Sequence, residues 1–237
     1  MKQHNDSWDE NVPYRIKELE SRGDKTYWEL LVPLFLNDVK KFASMGKVID
    51  VGCGLGFLTG MIASCVERIT GIDTSAKSIE YAKVHSAHSN AEYINTSIID
   101  FQHQNQGGNF DICVANMVFH NISNIEENIN AIARLLTQNG HLLFSIPNPH
   151  TWYKSRKYKK SPAYNYHLEG EFEVPFQIKD HEKHPRSIVY CHRPMGCYHQ
   201  LLTKNNFETI IFMEPLLNSA PHNNEESDIL YCACKLK

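Results

Sequence analysis

The chain has 237 residues, a formal net charge of −3 and 42% hydrophobic residues. This suits one α/β domain with a sizeable core, and the slight acidity argues against a protein that holds polyanions by overall charge. No stretch reaches the length of a membrane span, the polar start Met1–Trp8 carries no signal-like apolar run, and seven scattered cysteines fit reduced thiols in the cytoplasm better than a disulfide framework.

Residues 1–45 read as a helical segment, with Tyr14, Tyr27 and Trp28 among charged residues and Pro33 breaking or opening a helix. Next comes Val48-Ile-Asp-Val-Gly-Cys-Gly-Leu-Gly-Phe57: an apolar strand ending in Asp50, three glycines at alternate positions, then an amphipathic helix. Leu58, Met61, Ile62, Cys65 and Val66 form that helix's inner face. Glycines let backbone approach a ligand closely, and a helix start offers free N–H groups to an anion. The spacing departs from the dinucleotide pattern G-x-G-x-x-G, because the third residue after Gly54 is Phe57. Asp50 would repel a pyrophosphate, whereas it suits an ammonium group. A carboxylate at the helix start and an ammonium at Asp50 describe a zwitterionic amino-acid end, such as that of S-adenosylmethionine.

Ile69–Asp73 is the second strand, and its acid stands 23 residues after Asp50, near the interval for a carboxylate that binds ribose hydroxyls. Thr74 or Ser75 caps the next helix, which turns Ile79 and Ala82 inward. Glu92–Ile98 reads as a third strand, 105–109 as a loop, and Phe110–Met117 as a fourth strand with its exit loop. Ser123-Asn-Ile-Glu126 has the form of a capping box, opening a helix with Ile125, Ile129, Ile132 and Leu136 on one face. Asn139-Gly140 stops that helix, and His141–Ile146 is the fifth strand. Strands alternating with helices imply a parallel sheet with right-handed crossovers. The alternation then ends. Glu171–Ile178 and Arg186–His192 suit a short antiparallel pair, Met195–Lys204 a helix, and Glu208–Met213 and Asp228–Leu236 two last strands.

Val48–Gly56, Ile69–Asp73 and Phe110–Met117, in that order, resemble the motifs of class I S-adenosylmethionine-dependent methyltransferases, with features of the small-molecule methyltransferase subgroup at His192-Arg-Pro194 and Glu214-Pro215. The likeness is strong over 45–147 and weak in the C-terminal third. It implies an α/β, Rossmann-like, seven-stranded, mostly parallel sheet with an antiparallel last strand, helices on both faces and a cap inserted after the fifth strand. The single domain 1–237 then divides into an N-terminal helical segment (1–45), a cofactor-binding core (46–147), a substrate cap (148–193) and a C-terminal helix with strands (194–237). The implied cofactor is S-adenosylmethionine, with S-adenosylhomocysteine as product. Its implied ligands are Asp50, Gly52, Cys53, Gly54, Gly56, Asp73 and Thr74, then Ser97 and Ile98 after the third strand, and Asn116 and Met117 after the fourth.

His120 follows that last loop by three residues, where a histidine can serve as base toward the acceptor. Tyr14, Asn148, His150, Trp152, His192 and Arg193 are the candidates for contact with a small-molecule acceptor, methylated on O or N. Two rival readings stand beside this one. Tyr153–Lys160 is basic and aromatic and suits RNA, although the net charge speaks against nucleic acid; and the same cofactor motifs suit a non-catalytic binding module. His181, His184, Cys191, Cys197 and His199 follow no zinc spacing, so no metal is expected.

Overall fold

The computed structural model describes residues 2–42, 46–105, 107–152, 164–177, 184–217 and 226–237. Helix α1 (Lys2–Glu20) leads through a π-helical turn (Thr26–Leu31) directly into α2 (Val32–Phe42). Pro33 is the second residue of α2; lacking an N–H, it cannot bond back into the π-helical turn, and the two helical segments meet there. There follow β1 (Lys47–Val51), α3 (Phe57–Ala63), β2 (Arg68–Asp73), α4 (Ala76–His85), β3 (Ala91–Asn95), α5 (Ile98–Gln104), β4 (Phe110–Asn116), α6 (Ile125–Leu135) and β5 (Leu136–Pro147). A separate antiparallel hairpin, β6 (Gly170–Pro175) with β7 (Ser187–His192), precedes α7 (Met195–Lys204), β8 (Phe207–Met213) and β9 (Ile229–Leu236).

The seven-stranded sheet runs β3-β2-β1-β4-β5-β9-β8. Its first five strands are parallel, and β9 runs antiparallel between β5 and β8. Consecutive strand residues enter opposite layers, as the pleat requires. Val48, Val114 and Leu143 pack with Phe35, Leu58 and Ile62 under α2 and α3. Ile49, Cys113 and Phe144 pack with Ile129, Ile132 and Leu202 under α6 and α7. Each such side chain, fully buried, stabilises the fold by about 1.5–3 kcal/mol. The strand order reverses direction between β1 and β4, so a crevice opens there beyond the C-terminal strand ends.

Three local expectations are corrected. The third strand stops at Asn95, because Thr96 N–H turns back to Asp73 O (3.0 Å) and Ser97 caps α5, accepting from Asp100 N–H at 3.1 Å; Ile98 therefore begins a helix. The capping box at Ser123 does not form. Asn124 is the N-cap, with no side-chain cap bond, and Ser123 turns its hydroxyl to Cys191 Sγ (3.9 Å). Asn139-Gly140 does not stop α6. That helix ends at Leu135, because Leu136 is already extended and pairs with Phe110 of β4. Asn139, at φ 67°, and Gly140 lie inside β5, in the irregular stretch before Ile112 meets His141. Helix α3 is also short, so Cys65 and Val66 lie beyond its end.

Helix α1 joins the hairpin to the parallel core. Asn11 exchanges two hydrogen bonds with the Arg186 backbone (3.0 and 3.1 Å), and Glu10 takes the Arg186 guanidinium. Glu18 meets His184 Nε2 at 2.8 Å, and Arg15 bridges Glu18 to Asp24. At its other face Glu20 accepts from the Tyr81 hydroxyl of α4 (2.6 Å). Among the described residues no helix is long and apolar enough to cross a membrane. The basic segment Tyr153–Lys160, His181 and the expected strand end Ile178 lie outside the described residues.

Candidate functional site

The residues singled out in the core converge on the rim formed by the C-terminal ends of β1, β2, β3 and β4. Asp50 is 2% exposed and accepts a 2.6 Å hydrogen bond from Thr59 Oγ1 of α3. Burial pushes its pKa up to about 7; the Thr59 bond opposes this, and Asp73 nearby adds to it. Among the described residues no cation is paired with Asp50. An isolated buried carboxylate is costly, and a cationic group brought by a ligand would offset that cost. Tyr27, in the π-helical turn, is buried beside Asp50.

The glycine loop is fixed from three sides. Gly52 and Cys53 N–H both reach Ile72 O (2.8 and 3.0 Å), and Gly54 N–H reaches Asp73 Oδ2 (2.9 Å). All three glycines adopt left-handed backbone, with φ of 68°, 52° and 76° at Gly52, Gly54 and Gly56. Their surroundings differ. A Cβ on Gly52 would stand 2.5 Å from Val118 Cγ2, so the loop after β4 packs directly on this glycine. A Cβ on Gly56 would stand 2.9 Å from Ala82 Cβ and from Tyr93 Cε1. A Cβ on Gly54 meets no atom of the described residues within 4 Å. Gly56 is therefore demanded by packing, and Gly54 borders open space.

This contrast makes a prediction. Gly56→Ala adds a left-handed penalty of about 1–2 kcal/mol and overpacking of about 1–3 kcal/mol, so melting should fall steeply. Gly54→Ala carries only the first cost, a drop of roughly 2–8 °C for a chain of this size. If the open space beside it receives the donor, its methyl intrudes there and donor affinity should fall about 10–100-fold. Melting curves with and without S-adenosylmethionine check both; equal damage to stability in the two variants would refute the assignment.

Asp73 accepts from Ser75 N–H at Oδ1 (2.8 Å) and from Gly54 N–H at Oδ2 (2.9 Å). It thus anchors both the α4 entry and the glycine loop, and each oxygen keeps a lone pair for a ligand hydroxyl. Burial raises its pKa, against those backbone bonds. Ser75 is the α4 cap, accepting from Ser78 N–H, and its hydroxyl donates to Asp9 of α1 at 2.5 Å; Thr74 is exposed. Cys53 turns its thiol toward Gly71 of β2, away from the crevice. The Ser97 hydroxyl is spent on capping, so only backbone remains there for a ligand. Asn116 accepts from Ser145 Oγ (2.7 Å), and Met117 is held at φ 58° with its N–H on Ser145 O (3.0 Å).

His120 lies in a short 3₁₀ turn (Phe119–Asn121) after β4; it is buried, with its ring 5.8 Å from that of Tyr190 on β7. Tyr190 in turn belongs to an aromatic cluster with Trp152, Tyr164 and Phe172, in which Trp152 stacks on Tyr190 at 3.8 Å. His192 is buried beside them and its Nε2 meets Tyr166 O at 3.0 Å; burial depresses its pKa, so it is neutral near pH 7. His150 is exposed, edge-on to Tyr166.

Three acceptor candidates have other partners in the structure. Asn148 is committed to a turn: its Nδ2 donates to Glu214 Oε1 and Ser227 O, and its Oδ1 accepts from His150 N–H. Tyr14 packs on His184 at the α1–hairpin contact instead of the rim. Arg193 points its guanidinium at backbone carbonyls. Thr59, Val118 and Tyr190 were not anticipated. Thr59 alone had a signal, a hydroxyl on the first turn of an otherwise apolar helix.

A family model described as "Methyltransferase domain" matches residues 43–211. The chain is 29% identical over 189 residues to a ubiquinone biosynthesis O-methyltransferase of Vibrio atlanticus, covering 72% of this chain and 75% of the relative. In fold it is similar to a putative S-adenosylmethionine dependent methyltransferase from Listeria monocytogenes (TM-score 0.73, 18% identity, 91% of this chain and 99% of that one). It is similar too to the N-methyltransferase NodS from Bradyrhizobium japonicum WM9, in complex with S-adenosylhomocysteine (TM-score 0.58, 15% identity, 86% and 85%).

Proposed function

The chain belongs to the methyltransferase-domain family, as a class I enzyme that uses S-adenosylmethionine, and from that premise we propose that it methylates an oxygen or nitrogen atom of a small molecule in the cytoplasm. When bound, the donor supplies a methyl group made electrophilic by its sulfonium. Asp50 receives the donor's ammonium group, Gly52–Gly56 give backbone to its amino-acid end, and Asp73 accepts from its ribose hydroxyls. Ile98, Asn116 and Met117 border the remainder. The single observation that carries this reading is a carboxylate buried at a strand end that, among the described residues, has no cation beside it and takes its hydrogen bond from the Thr59 hydroxyl.

On the acceptor side, His120 takes the proton that a hydroxyl or ammonium must lose. Trp152, Tyr164 and Tyr190 supply a flat apolar wall that excludes water and suits an aromatic acceptor. The name of the Vibrio relative favours oxygen. The hairpin, as the cap over this space, selects the substrate. Titration calorimetry with S-adenosylmethionine and S-adenosylhomocysteine, followed by a panel of phenols, amines and carboxylic acids, tests the reading. Binding of both nucleosides and turnover of a phenol or amine are expected. No heat from either nucleoside at millimolar concentration would overturn it.

A further inference from the structure

Arg193 is 4% exposed, and both of its terminal nitrogens reach the same stretch of backbone. Nη1 donates to Phe119 O at 3.3 Å, and Nη2 to Ile122 O at 2.6 Å and Ser123 O at 2.7 Å. One planar fork therefore grips both ends of the turn that carries His120. On its outer side Nε lies 3.4 Å from Glu169 Oε2. Burying a guanidinium is expensive unless its N–H groups are matched, and the three carbonyls do most of the matching. A lysine would span one of those carbonyls at a time, since an ammonium lacks the rigid fork. Strand β7 reaches the same turn twice more, through the Tyr190 ring and through Cys191 Sγ on Ser123 Oγ. Arg193 follows the end of β7 by one residue, so the clamp ties the turn to the hairpin that walls the acceptor space.

We propose that Arg193 is a positioning residue: its guanidinium locks the Phe119–Asn121 turn against β7 and so holds the His120 imidazole in one orientation toward the acceptor. This rests on the reading of His120 as the base. Among the described residues the ionisable groups that face the turn and its clamp are Tyr190, Cys191 and His192 on β7, Tyr198 on α7, Arg193, Glu169 and, beyond Cys191, Glu171 on β6. Burial raises Tyr190, Cys191 and Tyr198 and lowers His192.

The test follows the imidazole signal of His120 by NMR in the full chain, labelled at histidine, saturated with S-adenosylhomocysteine and assigned by its loss in H120N. That readout needs no acceptor. One sharp signal is expected in the parent. R193M should split or broaden it and move its titration midpoint by roughly half a pH unit or more, while nucleoside affinity stays within about twofold. R193K, a milder change should R193M fail to fold, should lie between. With catechol as acceptor, R193M should lower kcat about tenfold in the parent and less than about twofold in the H120N background. An unmoved His120 signal, or equal losses of kcat in both backgrounds, would overturn the role of Arg193 and leave the base reading intact. Full kcat in H120N would instead overturn the base reading, and the catalytic role of Arg193 with it.

Discussion

Asp50→Asn should make the free protein more stable and deprive it of its donor. The sign follows from the proton balance. In the unfolded chain Asp50 titrates near its ordinary 3.8, and in the native state burial lifts it to about 7. Between those values the native state keeps a proton that the unfolded state has released. Stability is therefore fully present below about pH 4 and is lost as pH rises through about 7. The loss at pH 8 has an upper bound of about 4 kcal/mol. Asparagine removes it and still accepts the Thr59 hydroxyl. At pH 8 the melting temperature should then rise by roughly 2–4 °C for each kcal/mol recovered, and at pH 5 the gain should shrink to under half. Donor binding moves the other way, because a buried ammonium loses its carboxylate, at a cost of about 3–5 kcal/mol or some 10²–10⁴-fold in affinity. Calorimetry of unfolding at both pH values, with and without S-adenosylmethionine, reads both effects. A variant less stable than the parent at pH 8, or equally stabilised by the donor, would show that Asp50 is a structural carboxylate.

The proposed donor side was legible as a cluster because its chemistry is local in sequence. Asp50, Gly52, Gly54 and Gly56 occupy one strand end and one loop, and left-handed backbone at three alternating positions leaves few residue choices. Asp73 stands at the βαβ interval, and β4 begins at Phe110 as expected but runs on through Asn116, which the sequence had placed in the exit loop, because Asn116 still pairs with Ser145 of β5. The acceptor side is written across the chain. Asn148 looked available because its partners, Glu214 and Ser227, lie 66 and 79 residues away. Arg193 looked like a substrate ligand because its carbonyl partners lie 70 to 74 residues away. The same distance explains the failed capping box. Local pattern proposed Ser123 as a cap, but tertiary contacts took its carbonyl for Arg193 and its hydroxyl for Cys191. Asn139-Gly140 misled for a related reason: a left-handed asparagine ends helices often, yet here it serves a strand already paired to Phe110. Polar residues disposed toward distant backbone mimic binding residues until the fold is known.

His120→Asn should remove most of the turnover and leave the donor site untouched. General base catalysis is worth about 10²–10⁴-fold, so kcat should fall by at least 10² while affinity for S-adenosylhomocysteine stays within about twofold. The acceptor decides how the loss depends on pH. A phenol ionises near pH 10, so in the parent His120 must take its proton at neutral pH. In the variant only phenol already ionised reacts, and kcat should climb about tenfold per pH unit until the phenol's own pKa is reached. The variant then approaches the parent at high pH. An amine acceptor that is largely neutral at pH 8 needs no base before attack, and His120→Asn should cost far less with it. The pH slope of one variant thus separates oxygen from nitrogen as the methylated atom. His120 also packs on Tyr190, which supplies the opposing account: a histidine that merely fills space. On that account the asparagine variant melts earlier, turns over a phenol at the parent's rate once folded, and shows no steepened pH slope. A flat comparison of that kind would take the proton-transfer role away from His120 and leave exclusion of water and alignment by the hairpin as the chain's contribution to the reaction.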